Sequence, residues 1–180
     1  MRIPKRQEVL TTGRIEPNKG QLEVAMACRN LGLTYYCCGE IMDTAYADKV
    51  EQYGAILLGK CTMREVKQMC AKAKVFALVS KAEIFPLSVL EAMSQGCQIV
   101  LTDTSEWKPD VHYAEYGNAQ SIENAIKNAL EGKQDYTKFT KQMTWDMVAQ
   151  EISKIYEGIR QQNSGTLQSE VMSVSQASRT

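Results

Sequence analysis

The feature that most limits what this chain can fold into is a repeated pairing of a short apolar run with a longer amphipathic segment. The runs at residues 8–12, 34–38, 55–58, 75–79 and 98–102 are too short for helices and read as strands buried on both faces. Residues 20–31, 44–53, 62–72 and 87–95 follow them with the three- and four-residue apolar spacing of helices. Strands separated by helix-length crossovers pair in parallel, so the alternation predicts an α/β fold built on a doubly wound parallel sheet. A short extended piece at residues 111–113 and a helix at residues 121–131 continue it. A last helix is expected at residues 144–159, with Thr144 as N-cap and Asp146 in its first turn. Val148, Ile152, Ile155 and Ile159 recur along one face of it, which should pack on and close the domain.

A chain of 180 residues with 44% hydrophobic content is long enough for one domain with a real core. The expected organisation is a lead-in at residues 1–7, the domain at residues 8–160, and a disordered tail at residues 161–180, rich in Ser and Gln with no aromatic residue. Twenty-one basic and 21 acidic residues cancel. Neither sign clusters along the chain, apart from Arg2, Lys5 and Arg6, which read as a solvated end, so no nucleic-acid partner is expected. No apolar run approaches the roughly 20 residues of a bilayer span, and no signal peptide precedes the first strand, so the expected location is cytoplasmic. Cys28, Cys37, Cys38, Cys61, Cys70 and Cys97 lack metal-ligand spacing, and the lone His112 is placed with none of them. No metal is expected; the thiols read as free and mostly buried, Cys37, Cys38 and Cys97 in strands and Cys28 and Cys70 on helix faces.

The chemistry concentrates where the strand at residues 75–79 turns into the helix at residues 87–95. Glu83 sits on the turn and Glu91 is expected in the first helical turn. Both carboxylates flank helix N-terminal amides that face the crevice at the strand's carboxyl end. Free amides hold an anion and carboxylates accept bonds from hydroxyls, which suits a ligand carrying phosphate and sugar together. Ser88-x-x-Glu91 also has the form of a capping box, in which Glu91 would close the helix. Glu83, three residues before Pro86, has no cap to make. Arg14 and Lys19 flank the Pro17-Asn18 turn between the first strand and first helix, at the same edge of the sheet. Two cations there can neutralise a departing nucleoside diphosphate. There is no Gly-x-Gly-x-x-Gly fingerprint of an ordinary dinucleotide site.

The pattern Ser80-x-x-Glu83-x-Phe85-x-Leu87-x-x-Leu90-Glu91-Ala92-Met93, followed by Gly96 and a strand, resembles the donor-binding domain of family 4 retaining glycosyltransferases. So do Gly13-Arg14 through Lys19-Gly20, Cys38-Gly39-Glu40, Leu58-Gly59, and a closing segment containing Trp145. The likeness covers about residues 8–160. It implies a single Rossmann-like domain, one half of a GT-B fold, with a C-terminal closing helix. It also implies a nucleotide-sugar donor, UDP- or GDP-linked, and no metal or other cofactor. By resemblance Glu91 holds the ribose hydroxyls, while Glu83 contacts the transferred sugar and lies beside the phosphates as a positioning and electrostatic residue, and Arg14 and Lys19 complete the catalytic set. Gly13, Cys61, Leu87 and Ser88 complete the donor site, with phosphate held by the Leu87 and Ser88 amides.

The chain departs from the family at Ile84, where many members have Gly, and in Asp103-Thr104-Ser105-Glu106, which lacks the Gly-Gly pair common there. An N-terminal acceptor-binding domain, in cis or in trans, is the partner implied, with peripheral membrane contact arising through that missing half. Transfer of a hexosyl group by the half-enzyme together with its partner is the expected function. A non-catalytic nucleotide-sugar-binding or interaction module that retains the fold is the alternative.

Overall fold

The computed structural model describes residues 7–142, 146, 149–150, 152–154 and 156–157. It falls into two compact units, Met1–Thr137 and Lys138–Thr180. In the first, six strands form one sheet: β1 (Gln7–Thr12), β2 (Tyr35–Cys38), β3 (Ile56–Leu57), β4 (Ala73–Leu78), β5 (Gln98–Thr102) and β6 (His112–Ala114). Their order is β3-β2-β1-β4-β5-β6, with every neighbouring pair parallel. The piece expected at residues 111–113 is thus a paired edge strand. The first unit's α-helices among the described residues are α1 (Gln21–Leu31), α2 (Thr44–Gln52), α3 (Met63–Cys70), α4 (Leu87–Ser94) and α5 (Ala119–Glu131), and α6 (Thr137–Gln142) starts at its last residue. Here α1, α2 and α5 cover one face and α3 and α4 the other. This is the doubly wound Rossmann-like arrangement that the alternation of runs predicts.

In the second unit the described residues Asp146, Ala149, Gln150, Ile152, Ser153, Lys154, Tyr156 and Glu157 are helical. Thr144, Val148, Ile155 and Ile159 lie outside the described residues, as do Trp145, residues 1–6 and residues 161–180.

Alternation along the strands sends Val9, Tyr35, Cys37, Val75, Ala77 and Val100 into a core with Val24, Ala27, Ile122 and Ile126 of α1 and α5. Leu10, Phe76, Ile99 and Leu101, also fully buried, belong to the opposite face. The first core holds a polar chain: the Tyr35 hydroxyl donates to Thr11 Oγ1 (2.8 Å), which donates to the Ala77 carbonyl (2.6 Å). Burial holds the Tyr35 phenol well above its ordinary range, so it stays a donor.

Helix starts follow local chemistry. Asp43 caps α2 through the Tyr46 amide, Asn118 caps α5 through the Ser121 amide, and Thr62 with Glu65 forms a full capping box on α3. Helix α4 starts differently. Pro86 is its N-cap with no side-chain cap bond, and the Val89 amide returns to the Pro86 carbonyl. The helix therefore begins two residues too early for Ser88 to cap it, and the capping box read at Ser88 and Glu91 does not form. Glu91 is the fifth residue of α4, in its second turn.

Five of the six cysteines are buried and all are free; Cys97 lies just before β5 rather than within it. Burial pushes the Cys37 thiol up to about 12 and raises that of Cys38 as well. Cys61 is the partly exposed thiol. Iodoacetamide at mildly alkaline pH should accordingly modify Cys61 in the native protein and the other five only after unfolding. Mass spectrometry of labelled peptides checks this, and fast native labelling at Cys37 would contradict it.

Gly39 is a glycine by necessity: a Cβ there would stand 1.8 Å from the Gly13 carbonyl oxygen, whereas one at Gly54 (φ 92°) meets nothing within 4 Å. Gly54→Ala should cost only the about 1–2 kcal/mol of a left-handed alanine. Gly39→Ala should cost clearly more, because the end of β1 must move. Urea denaturation of the two variants decides it.

Candidate functional site

The strand order reverses direction between β1 and β4, and the crevice outside the carboxyl ends of such strands is where a doubly wound sheet binds ligands. A cleft of about 320 Å³ opens there, lined by Thr12, Gly13, Arg14, Lys19, Leu78, Glu83, Pro86 and Ser88. Two loops build it, the β1–α1 turn and the β4–α4 loop. They are fastened together at three points. Lys81 N donates to the Asn18 carbonyl (2.8 Å). Gly20 (φ 65°) passes so close to β4 that a Cβ would lie 2.4 Å from the Val79 carbonyl oxygen. Lys19 Nζ meets Glu83 Oε1 at 2.6 Å, with both side chains under one-fifth exposed.

Glu83 therefore has a structural partner that the sequence reading did not foresee. Lysine carries three donors, and the carboxylate spends one. Arg14 pairs with Glu16 (3.0 Å) and stays 60% exposed, so its guanidinium can reach an incoming anion. Gly13, at φ 148°, has nothing within 4 Å of where a Cβ would stand, which leaves room for a ligand to approach its backbone. The first amides of α4, Leu87 and Ser88, have no carbonyl to accept them within the helix.

A third segment steadies Glu83. The Glu106 amide (3.0 Å) and the Ser105 hydroxyl (3.4 Å) donate to the Glu83 carbonyl. Thr102 and Thr104 donate to the Ser80 carbonyl at 2.6 and 3.1 Å. The Phe85 and Trp107 rings meet edge to face at 5.1 Å. Side chains at Thr104 and Ser105 thus do a job that a Gly-Gly pair could not.

Of the residues singled out from sequence, Gly13, Arg14, Lys19, Glu83 and Ser88 come together on the cleft. Leu87 is half exposed beside it. Cys61 lies beyond β3, its thiol directed to the Gly59 carbonyl (3.5 Å) and hydrogen-bonded with Cys38. Glu91 is on α4 but does not line the cleft. Thr12 and Leu78 also line the cleft without having been assigned to it, and the Thr104–Ser105 brace joins residues too distant in sequence to leave a local signal.

The family model for glycosyl transferases group 1 matches residues 2–144, and the chain belongs to that family. Among solved structures it resembles AviGT4, a glycosyltransferase involved in avilamycin A biosynthesis, with TM-score 0.73 and 21% identity over 87% of this chain and 52% of that one. It resembles sucrose-phosphate synthase from Thermosynechococcus elongatus with TM-score 0.70 and 17% identity, over 87% and 46%. The catalytic domain of cholesterol-α-glucosyltransferase from Helicobacter pylori matches with TM-score 0.63 and 16% identity, over 81% and 99%. No curated protein sequence matches. The chain spans about half the length of AviGT4, and its fold is that of the C-terminal half of a GT-B glycosyltransferase.

The Lys19–Glu83 contact is shielded enough to be more than a surface ion pair. A double-mutant cycle with Lys19→Met and Glu83→Gln should give a coupling above the about 0.2–1 kcal/mol typical of exposed pairs. A coupling near zero would mean that the two loops are held by backbone contacts alone.

Proposed function

We propose that this chain is the nucleotide-sugar-binding half of a retaining, family 4 type glycosyltransferase that moves a hexosyl group from an NDP-sugar to an acceptor held by a second domain. The observation that carries the reading is the meeting of Arg14, Lys19 and the uncapped start of α4 around one cleft at the switch point of the sheet. A nucleoside diphosphate placed there would take its negative charge to the two cations and the Leu87 and Ser88 amides. As the sugar–phosphate bond breaks, charge grows on the leaving oxygen, and cations already in place stabilise it without reorganising.

Glu83 has the complementary task. Pinned by Lys19 on its carboxylate and by Glu106 and Ser105 on its carbonyl, it would orient the sugar and offset the positive charge developing at the anomeric carbon. As the resemblance implies, retention would proceed by same-face attack, in which the departing phosphate takes the acceptor's proton and Glu83 positions the sugar without forming a covalent bond to it. Glu91 would bind the ribose from its more distal place on α4. Transfer further requires an acceptor aligned in a closed cleft, which an N-terminal domain in cis or trans would supply.

Titration calorimetry of the 180-residue chain with UDP, GDP and ADP tests this. Weak binding of one or more is expected, reduced at least tenfold by Lys19→Ala and by Arg14→Ala. Absence of heat with all three, from a sample shown to be folded, would overturn it. Turnover of labelled UDP- and GDP-sugars should be absent without an added acceptor domain.

A further inference from the structure

The overall charge balance conceals a local excess. Within residues 60–74 stand Lys60, Arg64, Lys67, Lys72 and Lys74 against a single acid, Glu65. All five cations are exposed, and none has an ion-pair partner among the described residues. The expectation that neither sign clusters is therefore corrected. Glu65 does not offset them freely, since its carboxylate is engaged by the Thr62 amide and hydroxyl, both at 2.9 Å.

The helix orders part of this excess. Met69 and Cys70 of α3 are buried, and residues three and four apart share a face. Arg64, Lys67 and Ala71 therefore point outward together, and Lys60 is exposed in the loop that precedes the helix. At the head of the same helix Met63 is 74% exposed. At the start of α4, in the same layer and at the same edge of the sheet, Ile84 and Leu87 are exposed as well.

We propose that the outward face of α3 is a docking surface for an anionic lipid membrane, with Lys60, Arg64 and Lys67 at the headgroups and Met63 inserted at the interface. Unpaired cations beside an exposed apolar side chain are what an anionic bilayer surface rewards, through charge and shallow burial together. Single-stranded nucleic acid would want aromatic rings among the cations for base stacking, and residues 60–74 contain none. The proposal does not depend on the donor-site reading.

The experiment is sedimentation of the whole chain with vesicles of phosphatidylcholine alone or with roughly 30% phosphatidylglycerol, at low and high salt. Binding is expected only to the anionic vesicles and should be lost at high salt. Arg64→Glu/Lys67→Glu should weaken it at least tenfold, and Met63→Ser severalfold. Lys49→Glu/Lys133→Glu, which changes net charge equally on other exposed surfaces, should leave it nearly intact. Thermal melts establish that each variant is folded. Failure to bind anionic vesicles overturns the proposal. So does equal weakening by both double variants, or full binding by the α3 variant, which would place the contact elsewhere. Capture by polyuridylate or polyglutamate in place of vesicles would assign the surface to another class of partner and equally refute it.

Discussion

Everything at the cleft depends on how closely the β1–α1 turn lies against the end of β4. Gly20 has no Cβ, so the turn can sit on the Val79 carbonyl. That approach lets the Asn18 carbonyl accept from Lys81, and it brings Lys19 within reach of Glu83. Three weak or moderate contacts then act as one fastening, because each lowers the entropy lost in making the next. The two loops meet at the point where the strand order reverses, so the fastening also shapes the cleft there.

The same arrangement reconciles structural and chemical roles that look opposed. A cation already satisfied by a carboxylate would be a poor anion trap if it had one donor. Lysine has three, and the shielded pair holds the ammonium in place rather than exhausting it. Glu83 is likewise held at both ends, its carboxylate by Lys19 and its carbonyl by the segment after β5. In the proposed donor site, positioning of that kind would cost nothing further when substrate arrives.

Much of this was legible in the sequence, for a reason that can be stated. Alternating apolar runs encode buried strands through local periodicity, so the sheet and the order of its elements followed. Glycines and cations at strand ends marked the crevice. What was not legible is instructive at two helix starts. Ser88-x-x-Glu91 and Thr62-x-x-Glu65 carry the same capping pattern, yet only the second forms the box. Pro86 decides the first case, since it starts α4 early and moves Ser88 inside the helix. Spacing alone cannot report which residue the chain uses as its cap. The Thr104 and Ser105 brace was unreadable for a different reason: its partners are 22 to 24 residues away in the chain.

The hydroxyl chain from Tyr35 through Thr11 to the Ala77 carbonyl crosses three neighbouring strands in the dry interior of the sheet. Apolar contacts between strands are tolerant of sliding, since one aliphatic side chain replaces another with modest loss. A buried hydroxyl is not tolerant. Shifting β2 by one residue against β1 would turn the phenol to the opposite layer and strand the Thr11 oxygen, and a two-residue shift would pull donor and acceptor apart. The relay thus works as a key for alignment at the centre of the sheet. Because the crevice lies at the ends of these same strands, the alignment fixed by Tyr35 determines how far Gly13 and Gly39 project beyond the sheet, and so whether their backbones meet.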